Sequence, residues 1–280
     1  MPFVKRKNQP DLYYEVSDFT DPWKNAPYIL LQHGFGRSTK FWYRWVPYLS
    51  RFFKVIRSDF RGFGQSGMDF DFEKDLTFDH YINDIESIID AVGADSIHYC
   101  GESLGGVFGQ IFAAERPQRI RTLSIVSAPV FLNHDFMERS KFGHPTWEEA
   151  MRKLGAKGYS LAKNKGDRFG GDVDSGLKDW FAEEQGKSNI EVMIAVQKSV
   201  ARVNTTPWLP KIQAPMLALY PSNGPITSPE QEELLRKHVK NLTVCHLPSN
   251  HHNLHLIKPA ECAKRVLYFA SQHDGTSCYE

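Results

Sequence analysis

The chain has 280 residues, and 34 Lys and Arg against 33 Asp and Glu leave a net charge of +1. That balance offers no footprint for a nucleic-acid backbone or an anionic membrane, and with 41% hydrophobic and 24% charged residues the composition lies far from the disordered range. A chain of this length buries a core without help from disulfides, and it fits one large domain or two small ones.

The first ten residues are polar and basic, with Lys5, Arg6 and Lys7 together. They lack the apolar stretch of a secretory signal, and no run reaches the ~18 apolar residues of a membrane span, so the expected location is cytoplasmic. Cys100, Cys245, Cys262 and Cys278 are scattered, without a C-x-x-C pair or a histidine at metal-ligand spacing. Neither a metal nor another cofactor is therefore expected.

Short apolar runs rich in β-branched and aromatic residues predict strands at Tyr28–Gln32, Lys54–Ser58, Ile97–Cys100, Thr122–Ser127, Met216–Tyr220 and Thr243–His246. Helical periodicity falls between them at Trp42–Tyr48, Thr77–Val92, Leu104–Glu115, Pro229–His238 and Pro259–Ser271, with prolines opening the last two. Strand and helix in alternation predict an α/β fold, a mostly parallel central sheet flanked by helices. The alternation lapses from about Phe131 to Thr206, where helices are predicted at Thr146–Leu154, Gly176–Glu184 and Ile190–Val203, with glycine connectors at Gly155–Gly158 and Gly166–Gly171. This divides the chain into a core of residues 1–130 and 207–280 and a helical insertion, 131–206, positioned to cover the ligand crevice as a cap.

Three glycine-bearing turns follow predicted strands. Gly101-Glu102-Ser103-Leu104-Gly105 stands between strand and helix as G-x-S-x-G, a sharp turn that lifts a serine hydroxyl above the sheet. His33-Gly34-Phe35-Gly36 is suited to present backbone N–H groups, so that Phe35 and Leu104 are the candidate donors to an oxyanion. Asp59-Phe60-Arg61-Gly62-Phe63-Gly64-Gln65-Ser66 reads as a tight, ion-paired structural turn.

In this order, with a late histidine before Pro259, these motifs resemble the α/β-hydrolase fold family from about Tyr28 to Ala270. The resemblance implies Ser103 as nucleophile and a base among His251, His252 and His255. Spacing to Pro259 favours His252, 149 residues after Ser103. The orienting acid has no obvious holder. Gly224 occupies its usual position and Ser127 the alternative one, which leaves Asn223, Asp135 and Glu230 as candidates.

Trp147, Tyr159, Trp180, Phe181 and Trp208, with Phe35 and Phe63, are candidates to line an apolar pocket. The expected function is a serine hydrolase acting on a carboxylic ester or lactone of a small hydrophobic or aromatic compound. Carbon–carbon hydrolysis of ring-fission products, or a low-turnover small-molecule receptor on the same fold, are the alternatives. The expected partner is the small-molecule substrate, not nucleic acid or membrane, and the chain is expected to be a monomer or homodimer.

Overall fold

The computed structural model describes residues 3–278, so the outermost residues of the predicted 1–130 and 207–280 segments lie outside it. Strands β1 (Phe3–Val4), β2 (Leu12–Ser17), β3 (Tyr28–Gln32), β4 (Lys54–Ser58), β5 (Ile97–Glu102), β6 (Ile120–Val126), β7 (Met216–Pro221) and β8 (Leu242–Leu247) form one sheet. Its spatial order is β1-β2-β4-β3-β5-β6-β7-β8. The pairings from β4 through β8 are parallel, and β2 runs antiparallel to both β1 and β4. Every strand predicted from the sequence is present within two residues. The antiparallel β1 and β2 were not predicted: β1 has only two residues, and the Lys-, Asn- and Pro-bearing stretch between them reads as a polar tail.

Helices α1 (Val46–Leu49), α2 (Phe78–Ala91), α3 (Leu104–Glu115), α4 (His134–Arg139), α5 (Trp147–Lys163), α6 (Ser175–Gly186), α7 (Ile190–Val200), α8 (Pro229–His238), α9 (Leu254–Ile257) and α10 (Pro259–Asp274) surround the sheet. Between β6 and β7 the chain is helical, from α4 to α7. Asn133, Thr146, Asp174 and Asn189 each accept a first-turn N–H at the starts of these four helices, satisfying groups that the helices cannot satisfy themselves. The helix predicted at Thr146–Leu154 is interrupted where expected, at the start of the Gly155–Gly158 connector. Only Gly155 leaves helical geometry, at φ 65° and ψ 172°, and the helix continues to Lys163 beyond the kink.

Strands buried on both faces feed two cores with alternate residues. In β3, Leu30 faces one core while Ile29 and Leu31 face the other; in β7, Met216, Ala218 and Tyr220 oppose Leu217 and Leu219. This is the period-2 consequence of the pleat. On the first face α2 and α3 meet through Tyr81 and Phe108, stacked at 4.1 Å between ring centroids, with Phe60 edge-on to both. On the second, α1 and α10 pack through Leu49, Cys262 and Val266.

The turn after β4 is tied to α2 by charge. Arg61, fully buried, donates Nε and Nη2 to the two Asp84 oxygens at 2.7 and 2.6 Å, and Nη1 to the Asp75 carbonyl at 2.8 Å. Arg6 adds a further bond to Asp84 at 2.6 Å. Asp59 accepts the N–H groups of Thr39 and Gln65, and Gly64 takes a positive φ where a side chain would run into the Asp59 carboxylate. The turn after β3 is held by His33, whose Nδ1–H donates to the Gly34 carbonyl at 2.7 Å and whose Nε2 accepts the Phe60 N–H at 3.0 Å.

Two predictions follow from these buried groups. Asp84→Asn deprives two arginines of their counter-charge, and its urea midpoint should fall by the equivalent of about 3–5 kcal/mol at unchanged m-value. His33 is pushed down from 6.5 to about 3 by burial. The unfolded chain therefore binds the extra proton first as pH falls. Stability present above pH 6.5 should drain away toward pH 3, by up to about 5 kcal/mol from this residue, and His33→Gln should flatten that slope in urea titrations at stepped pH.

Candidate active site

The parallel strands β3, β5 and β6 deliver their C-terminal ends to one crevice, the place where open α/β sheets bind ligands. Ser103 follows β5 directly and opens α3 with φ 51° and ψ −119°, a conformation that an L residue holds only when its surroundings enforce it. Gly101 and Gly105 permit the enforcement. A Cβ on Gly105 would collide with the carbonyls of Gln32 and His33, and one on Gly101 with the Gly105 carbonyl.

Of the three late histidines, the fold brings His252 to Ser103, with Nε2 3.0 Å from Oγ. Its loop is clamped from the helical segment, because the His252 N–H donates to the Asp167 carbonyl at 2.8 Å. His255 is buried against the Trp42 ring instead, and a side chain on Gly170 would strike the His251 ring. The Phe35 and Leu104 N–H groups have no acceptor among the described residues. Leu104 is the first residue of α3, where helix geometry leaves the N–H free and the dipole favours negative charge.

None of the acid candidates read from the sequence reaches His252. Asn223 is exposed and donates its amide to Asn250 at 3.0 Å, while Asp135 and Glu230 lie exposed in the first turns of α4 and α8. Among the described residues no group hydrogen-bonds His252 Nδ1. The carboxylate beside His252 is one the sequence reading passed over: Glu102, fully buried, with Oε1 3.6 Å from His252 Nε2 and 3.8 Å from His255 Nδ1. Its other oxygen accepts from Arg37 Nη1, and Arg37 Nη2 donates to Asn253 Oδ1 at 2.8 Å. Burial pushes the Glu102 carboxyl up while Arg37 pulls it down. For His252 all the causes agree: burial, then the positive charges of Arg37, Arg168 and Lys163, hold the imidazole well below 6.5 and thus neutral.

Ser103 and His252 open into a cavity of about 60 Å³, lined by Leu132, Val107, Val200 and Ile226 and by the polar ends of Lys163, Asp167 and Arg168. Phe35 lines it as expected, and Phe136 joins it. The other expected aromatics are used in packing. Tyr159 and Phe181 are core residues, Phe63 is buried beside His33, Trp180 packs on Phe41 and Tyr43, and Trp147 and Trp208 pack against the main core. No group of three or more His, Cys, Asp or Glu suited to a metal occurs among the described residues, and no helix among them is long and apolar enough to cross a membrane.

Comparison with known proteins agrees with this fold. Residues 27–158 match the family model described as alpha/beta hydrolase fold. The chain is similar to strigolactone esterase RMS3 of Pisum sativum, 24% identical over 88% of this chain and 93% of that protein. It is also similar to karrikin insensitive 2 receptor IA of Petunia hybrida, 24% identical over 89% and 92%. Among solved structures, the enol-lactonase from Burkholderia xenovorans LB400 superposes with a TM-score of 0.81 at 20% identity, over 96% of this chain and 100% of that one. With a mostly parallel eight-stranded sheet, a strained serine between β5 and α3 and this matched segment, the chain has the alpha/beta hydrolase fold.

Proposed function

We propose that this hydrolase is a serine hydrolase acting on a carboxylic ester or lactone of a small compound. The observation that carries the reading is the 3.0 Å approach of His252 Nε2 to the Oγ of a serine held at φ 51°. In the tautomer with hydrogen on Nδ1, Ser103 donates to Nε2. As Oγ attacks the carbonyl carbon, Nε2 takes the hydroxyl proton, and the carbonyl oxygen gathers charge between the Phe35 and Leu104 N–H groups. Collapse expels the alkoxide with the proton from Nε2, leaving an acyl group on Ser103. A water, deprotonated by the same nitrogen, then releases the acid and restores the serine.

Glu102 supports the imidazolium stage in this mechanism. It approaches the nitrogen that acquires the proton, not the one that an orienting acid usually holds. The helices of residues 131–206 act as the cap, since the Asp167 carbonyl holds the histidine loop and Arg168 and Phe136 reach the cavity. Val107, Leu132 and Ile226 supply an apolar wall for the substrate's hydrocarbon part. A receptor with slow turnover is the second reading. It is favoured by the lack, among the described residues, of any hydrogen bond to His252 Nδ1, since a histidine so held generally turns over faster.

A serine-reactive fluorophosphonate should add its mass to the peptide containing Ser103, and p-nitrophenyl butyrate should be hydrolysed with multiple turnovers. Ser103→Ala should lose about 10⁴-fold or more in kcat, whereas Asn223→Ala, Asp135→Asn and Glu230→Gln should stay within about threefold of the parent. Because His252 is held neutral, the acid limb of kcat/KM should fall below pH 6.5. Neither adduct nor turnover would end the hydrolase reading; an adduct without repeated turnover would favour the receptor.

A further inference from the structure

Two basic side chains line the cavity beside Ser103, and burial pushes both down, Lys163 well below its usual value and Arg168 to about 9, with Asp167 pulling the other way on each. Lys163, the last residue of α5, is 9% exposed, donates Nζ to Ser140 Oγ at 3.1 Å, and otherwise rests on rings, 4.2 Å from the Phe136 centroid and 5.2 Å from that of Tyr159. Arg168 is 6% exposed, donates Nη1 to Gln185 Oε1 at 2.6 Å, and lies 5.1 Å from the Phe181 ring centroid. Among the described residues neither makes a salt bridge. Glu102 is engaged by Arg37, and the nearest other acid, Asp167, pairs with Arg139 at 3.5 Å.

A cation removed from water without a partner is costly, and proteins tolerate the arrangement where a charged ligand completes it. Here the two line the same small cavity as the nucleophile, among mostly apolar walls that also include Asp167 and Gln197. The Arg168 guanidinium is a planar fork that matches a carboxylate, and the Lys163 ammonium is a point charge beside it.

We propose that Lys163 and Arg168 receive a carboxylate carried by the substrate, so that the ester or lactone opened at Ser103 belongs to a molecule bearing a second, free acid group. This rests on the reading of Ser103 as nucleophile and narrows its substrate class to compounds that carry a charge as well as a hydrocarbon part. The bound carboxylate has a second effect. Lys163 and Arg168 are among the charges that weaken His252 as a base, so an anion seated between them strengthens the base when the ester is in place.

The test compares free acids with their own methyl esters, so that leaving group and shape stay fixed. Mono-p-nitrophenyl glutarate carries the carboxylate on the acyl side, and 4-carboxyphenyl butyrate carries it on the leaving group. In at least one pair the full chain should favour the free acid over its methyl ester by tenfold or more in kcat/KM, chiefly through KM. Lys163→Met, which replaces a buried charge with an apolar chain of similar length, should cut that preference at least tenfold, as should Arg168→Gln. Each variant's melting temperature checks that it is folded. No preference in either pair, or a preference that survives both substitutions, overturns the proposal. A thermal-shift titration of Ser103→Ala with 4-butyramidobenzoate and glutarate reads the same site without turnover. Saturable stabilisation by one of them, lost in Ser103→Ala/Lys163→Met, supports the proposal, and flat titrations with both overturn it. Absence of ester turnover and of phosphonate adduct counts instead against Ser103 as nucleophile.

Discussion

The pair formed by Arg37 and Glu102 is the constraint on which the site depends. Glu102 is a carboxylate at the end of a central strand with no access to water, and a charge there is sustained only by an opposite charge and by donors in direct contact. Arg37 supplies both, 65 residues away on the turn after β3, and its remaining fork reaches Asn253, 216 residues away. One buried pair thus pins together the turn that offers the Phe35 N–H, the elbow that carries Ser103 and the loop that carries His252. Its neighbours conform to it. Gly34 has no side chain because one would strike the Glu102 carboxylate, and the Arg37 guanidinium lies over the rings of Phe41 and Phe181, which brings α6 against the same knot.

The electrostatics of the site follow from what surrounds that pair. Arg37, Lys163 and Arg168 all bear on His252, with a single buried carboxylate opposing them. A neutral imidazole is what a base needs at the start of the reaction, but the same charges oppose the imidazolium that forms midway. In the proposed mechanism Glu102, 3.6 Å from the nitrogen that takes the proton, and the carboxylate proposed for the substrate both reduce that penalty. The helical segment contributes Lys163 and Arg168 to the cavity and, through the Asp167 carbonyl, the anchor of the histidine loop.

Much of this was legible in the sequence, for definable reasons. Strands β3 and β7 are buried on both faces and so appear as apolar runs, and the turn that carries Ser103 is written locally because Gly101, Ser103 and Gly105 must follow one another between strand and helix. That His252, of the three late histidines, is the one brought to Ser103 agrees with its distance to Pro259. Glu102 was not legible, although it sits inside the motif: its meaning lies in Arg37 and Asn253, and contacts at such sequence distance leave no periodic trace. The same holds for Lys163 and Arg168, which lie outside the helices predicted from the sequence, Arg168 in the Gly166–Gly171 connector, and whose burial at the cavity comes only from the fold. The aromatic residues of the segment failed as pocket markers in the opposite sense. Large rings are favoured in any core, and Tyr159 and Phe181 went there.

The most direct measurement is a double-mutant cycle of Glu102→Gln and Arg37→Met, read as kcat/KM on p-nitrophenyl butyrate with folding checked by melting temperature. If Glu102 supports the base and Arg37 acts by holding Glu102, Glu102→Gln should lose about a hundredfold, and the double variant should lose at most about threefold more than the worse single variant. Losses that simply multiply, or a Glu102→Gln enzyme within about threefold of the parent, would contradict the role assigned to the buried pair.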